Sequence, residues 1–97
     1  MIPFKKMWED VSAIISDNTI GEIDIVEKYN TGFVISEDGV TKFVNKDDFV
    51  NFWCKMLCFK EFSKEDADKE DKLIYVYEVI KNLPYITESS NVLKLVD

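Results

Sequence analysis

A chain of 97 residues has room for one hydrophobic core, so a single domain over residues 1–97 is expected. It carries 12 basic against 19 acidic residues for a formal charge of −7, and every basic residue is a lysine, because the sequence holds no Arg, His or Gln. The hydrophobic share of 46% excludes charge-driven disorder, and the absence of His removes the usual general base, the Ser-His and Cys-His nucleophile pairs and most transition-metal sites.

Residues 4–15 place Phe4, Met7, Trp8, Val11, Ile14 and Ile15 at helical spacing, with Lys5, Lys6, Glu9 and Asp10 on the other face. That pattern predicts an amphipathic helix, with Pro3 suited to its first turn. From Gly21 the period changes to two. Glu22 and Asp24 alternate with Ile23 and Ile25, a strand that continues to Tyr29 before the turn at Asn30-Thr31-Gly32. Phe33 to Ser36 and Val40 to Val44 follow as two more strands around Glu37-Asp38-Gly39. Of the two registers open to them, a three-residue loop with Gly39 left-handed pairs Phe33 with Phe43 and Ile35 with Thr41. It groups Phe33, Ile35 and Phe43 on one apolar face, whereas a two-residue Asp-Gly loop would set Lys42 opposite Ile35. The first is expected.

Asn45 then reads as a helix N-cap, with Asp48 as the reciprocal acid of a capping box. The helix should run from Lys46 to about Lys60. Nine of the eleven residues from Phe49 to Phe59 are apolar, which predicts burial on most sides, Cys54 and Cys58 included. Residues 63–72, SKEDADKEDK, hold no large apolar side chain and are expected to form a connector or an exposed first turn. Leu73, Val76, Tyr77, Ile80 and Leu83 mark a further helix that Pro84 ends. The tail from Asn91 to Val96 is β-prone and would add a short fourth strand beside the hairpin. The order is that of an α+β domain: an N-terminal helix, a three-stranded antiparallel meander, two C-terminal helices and that short strand.

Little in this order carries chemistry. Two Cys without His fall short of a structural zinc site. Asp66-Ala67-Asp68-Lys69-Glu70 imitates the start of a calcium loop, but Asp71 stands where the loop requires Gly and Tyr77 where a bidentate Glu belongs. Glu70-Asp71-Lys72 matches half of a nuclease site outside any expected strand. The glycines lie at strand starts and turns and cannot cradle a phosphate. No catalytic residue, metal site or cofactor is expected.

The charge points elsewhere. Residues 18–48 hold seven acids and three lysines, which disfavours direct nucleic-acid binding. Glu22, Asp24, Glu37 and Asp38 offer an acidic face with directional acceptors for Lys or Arg. A hairpin followed at once by a capped helix is similar in outline to small accessory modules of phage and mobile-element proteins, and the Lys, Ile, Asn and Asp richness without Arg resembles an AT-biased bacterial or phage genome. The leading expectation is therefore a small non-enzymatic binding protein of the inhibitor or immunity type, acting on a basic partner such as a nucleic-acid-binding protein. The alternative is a regulatory or accessory module that forms a homodimer or docks through its apolar helices at Trp53, Phe59, Phe62 and Tyr75, its acids serving only solubility. Without a signal-peptide h-region or a run of about 18 apolar residues, a cytoplasmic location away from membranes is expected.

Overall fold

The computed structural model describes residues 2–17, 24–70 and 72–96. Its elements in chain order are α1 (Phe4–Asp17), β1 (Asp24–Tyr29), β2 (Gly32–Glu37), β3 (Val40–Asn45), α2 (Lys46–Phe59), β4 (Glu61–Ser63), α3 (Lys64–Asp68), α4 (Leu73–Ile80), β5 (Ile86–Ser89) and β6 (Val92–Leu95). The α+β class and the helix, meander, helices, strand order stand as the sequence predicts. The strands form two antiparallel three-stranded sheets, ordered β1-β2-β3 and β4-β6-β5.

The N-terminal half follows from local signals. In α1 the residues Met7, Val11 and Ile15 are buried, one turn apart, while Phe4 and Trp8 stack on each other and Trp8 meets Phe49 of α2 edge-on. The Asn45 side chain accepts from the Asp48 backbone N–H at 3.0 Å and the Asp48 carboxylate accepts from the Asn45 N–H at 2.9 Å. This capping box satisfies two backbone donors that would otherwise lack partners, and such a cap is worth about 1 kcal/mol.

The hairpin register differs from the expected one. Glu37 pairs with Val40, Ile35 with Lys42, Val34 with Phe43 and Phe33 with Val44, so the loop is the two-residue Asp38-Gly39 turn. Both turn residues have positive φ, 54° and 81°, the mirror-image turn whose twist matches that of paired strands. The objection to this register was a charge on the apolar face, and Lys42 removes it by length. Its stem lies on the core side while its ammonium reaches over the Tyr75 ring, 5.6 Å from the centroid.

Burial of the helices also departs from expectation. In α2 the residues Phe49, Phe52, Trp53 and Met56 are buried, but Val50, Cys54, Cys58 and Phe59 are exposed, so the two cysteines are free surface thiols rather than core residues. The helix enclosed on nearly every side is α4, where Leu73, Tyr75, Val76, Tyr77, Glu78, Val79 and Ile80 are all buried and contacts run to α1, α2 and α3. Its mean hydropathy is the higher of the two, consistent with that central place. It ends at Ile80, short of Pro84.

Within the charged stretch after Phe62, Lys64–Asp68 form the short helix α3 rather than a connector. Ser63 caps α3, its hydroxyl accepting from the Asp66 N–H at 3.1 Å, and Ala67 is fully buried. The C-terminal strand forms, but not beside the meander. β6 lies between β4 and β5, pairing Phe62 with Leu93 and Glu88 with Leu93 on its two sides.

Candidate functional site

The outer face of the meander is where register, bulge and charge converge. Phe33 and Ile35 are buried, so the alternate residues Val34 and Ser36 point away from the core. Their partners across the sheet share that face. One row reads Asp24, Ser36, Thr41, the next Glu27, Val34, Phe43, and the last Tyr29, Gly32, Asn45.

An extra residue in β1 decides which of its side chains belong there. Pairing runs from Ile25 opposite Ile35 to Glu27 opposite Val34, with Val26 bulged between them. Without the bulge strict alternation would put Lys28 beside Asp24. With it Glu27 and Tyr29 join Asp24 outside and Lys28 turns to the core side, where its ammonium meets the Ser16 carbonyl at 3.4 Å. Lys42 faces inward as well. Among the described residues, therefore, the outer face carries two carboxylates and no lysine.

Aromatic surface accompanies those acids. Tyr29, paired with Gly32 across the sheet, meets Phe43 edge-on at 6.0 Å and 74°. Tyr29 is 55% exposed and Phe43 39%. The Tyr29 hydroxyl donates to the Glu27 carboxylate, and that bond raises the phenol pKa above its ordinary range.

The residues singled out from sequence are dispersed. Asp24 lies on the outer face and Asp38 in the neighbouring turn, while Glu37 projects from the core side and accepts from the Tyr75 hydroxyl at 2.6 Å. Glu22 falls outside the described residues. Trp53, Phe62 and Tyr75 are buried at 1%, 6% and 6%, leaving Phe59, 68% exposed, as the surface member of that set. Phe59 borders a cleft with Lys55, Phe62, Asp66, Lys69 and Glu70. The charges in this cleft answer one another, Lys55 to Glu70 at 2.8 Å and Lys69 to Asp66 at 3.6 Å. Glu27 lies near the acidic cluster read from sequence, but its grouping with Tyr29 and Phe43 was not legible, because the expected register turns Phe43 inward and the bulge at Val26 has no sequence mark.

All four tyrosines donate to carboxylates, which lets a chain without arginine tie its acids down. Tyr77 reaches Glu88 at 2.7 Å and Tyr85 reaches Asp10 at 2.8 Å. Burial first and the adjacent acid second push both phenols well above their ordinary value of 10.0. Bonds from Lys6 and then from Tyr85 hold Asp10 low. A folded phenol that keeps its proton after the unfolded one has lost it contributes stability that is complete below about pH 10 and lost as pH rises beyond. Thermal melts are therefore expected to fall in midpoint above about pH 10, and Tyr77→Phe to flatten that alkaline limb while costing about 1 kcal/mol at neutral pH. An unchanged alkaline slope in the variant would mean that Tyr77 does not carry it.

No group of three or more His, Cys, Asp or Glu among the described residues is arranged to hold a metal ion, and no helix there is long and apolar enough to cross a membrane. Comparisons with protein-family models, curated proteins and solved structures find no match to this chain.

Proposed function

We propose that the protein is a non-enzymatic binding protein that presents the outer face of the meander to a basic protein partner, in the manner of a small inhibitor or immunity protein. The observation that supports this reading is the sorting of charge across the sheet. Asp24 and Glu27 face outward while Lys28 and Lys42 turn inward, so that face is negative although its strands contain lysines. A net charge of −7 speeds encounter with a basic surface, and the exposed Tyr29 and Phe43 supply apolar contact once the surfaces meet. The acidic set thus shifts from the residues expected by sequence to Asp24 and Glu27, with Asp38 at the margin. The alternative of docking through the helices retains Phe59 as its exposed anchor.

The two readings separate under charge reversal. Wild type and the Asp24→Lys, Glu27→Lys variant are compared in pull-downs from the source cell, with Phe59→Ser beside them. The reversed variant is expected to lose the partner and Phe59→Ser to keep it. Retention of the same partner by the reversed protein at low salt would sink the acidic-face reading, and its loss with Phe59→Ser would favour the helix surface.

A further inference from the structure

The composition of the outer face is more specific than negative charge. Tyr29 and Phe43 meet at 74°, so their exposed surfaces form an open corner rather than a flat stack. Glu27 lies in the same row as Phe43 and is held by the Tyr29 hydroxyl, which fixes a carboxylate at the rim of that corner. Val34, between Glu27 and Phe43, supplies an apolar floor.

We infer that this corner receives an arginine side chain of the partner, its guanidinium lying on an aromatic face and forking to the Glu27 carboxylate. The inference rests on the basic-partner reading and narrows it. A guanidinium is planar and weakly hydrated, so it stacks on a ring and presents paired donors to a carboxylate at the same time. A lysine ammonium is a compact, strongly hydrated point charge that gains less from the rings. A second copy of this chain does not supply the occupant, because the sequence contains no arginine. Nucleic acid is opposed by carboxylates that repel phosphate. Two acids in separate rows, with no group of three metal-ligating side chains among the described residues, do not make a divalent-cation site.

The test uses the whole chain and two blocked peptides, tetra-arginine and tetra-lysine, titrated at low salt while backbone amide shifts are followed by NMR. The expected result is a set of shifts centred on Glu27, Tyr29, Val34 and Phe43, with the arginine peptide bound at least about threefold more tightly. Phe43→Leu keeps apolar bulk and removes the ring, and should abolish that preference while leaving weaker binding of both peptides. Tyr29→Phe keeps the ring and releases Glu27, and should lessen the preference. If both peptides shift the outer face equally and Phe43→Leu changes neither, the arginine inference is overturned and the basic-partner reading stands. If the shifts gather elsewhere, or neither peptide moves the outer face, both are overturned.

Discussion

Gly32→Ala is expected to cost about 3–5 kcal/mol, much of the stability that a domain of this size possesses. A Cβ at this position would lie 2.2 Å from the Val44 carbonyl oxygen and 2.8 Å from the Asn45 Cα, both backbone atoms that cannot rotate aside. The residue also holds φ at +154°, a conformation that side chains rarely adopt. Relief would require β2 and β3 to part at the Gly32–Asn45 pair, and Asn45 is the cap of α2. The adjoining Thr31 carbonyl accepts from the Lys46 N–H at 2.7 Å, so the start of α2 would loosen with the sheet. Gly39→Ala is the matched control: its φ is also positive, at 81°, but nothing lies within 4 Å, so about 1 kcal/mol is expected. Urea denaturation measures both. A Gly32→Ala loss of less than about 1 kcal/mol would show that the strands yield more readily than their spacing implies.

Trp53→Ala should cost a similar amount, about 3–5 kcal/mol, by opening a cavity in the core. The side chain is 1% exposed, its indole N–H donates to the Ile2 carbonyl at 3.0 Å, and its ring meets Tyr85 edge-on at 6.2 Å. Removal therefore loses apolar burial and unties the segment ahead of α1. Trp53→Phe retains much of the volume but not the hydrogen bond, and about 1–2 kcal/mol is expected. Light scattering beside the denaturation curves distinguishes a core residue from an interface residue. A core Trp53 lowers stability without changing molecular mass, whereas a variant of wild-type stability and altered mass would return Trp53 to an intermolecular surface.

What could be read from sequence was governed by how local the deciding interaction is. The spacing of Met7, Val11 and Ile15 and the Asn45–Asp48 capping box lie within one or two turns, and both appear as expected. The hairpin register follows the two-residue Asp38-Gly39 turn, and the lysine it sets on the core side is accommodated by Tyr75, 33 positions away, a neighbour the local sequence does not reveal. Because a one-residue change in register exchanges faces, the same turn puts Phe43 opposite Val34 on the outer face, where it forms the aromatic corner with Tyr29. Cys54 and Cys58 were misplaced because apolar content alone does not say which side of a helix is covered. β4 and β5 escaped notice as strands of three and four residues that include Glu61, Ser63, Thr87, Glu88 and Ser89. The positive φ angles of Ser90 and Asn91, 52° and 62°, identify a two-residue hairpin turn, and the asparagine was the available signal for it. The bulge at Val26 left no equivalent mark.

The position of β6 has a consequence for the order of assembly. Each strand of the meander has its neighbour within the next few residues, so that sheet closes through short loops and can form early. In the second sheet the central strand follows both of its neighbours in the chain, and β4 must wait for a partner about thirty residues downstream. During synthesis Phe62 therefore emerges with no strand to pair with until Leu93 has been made, while the apolar α4 lies between them. The topology therefore predicts that the C-terminal half forms later than the meander, with β4 and β5 joined only once β6 lies between them.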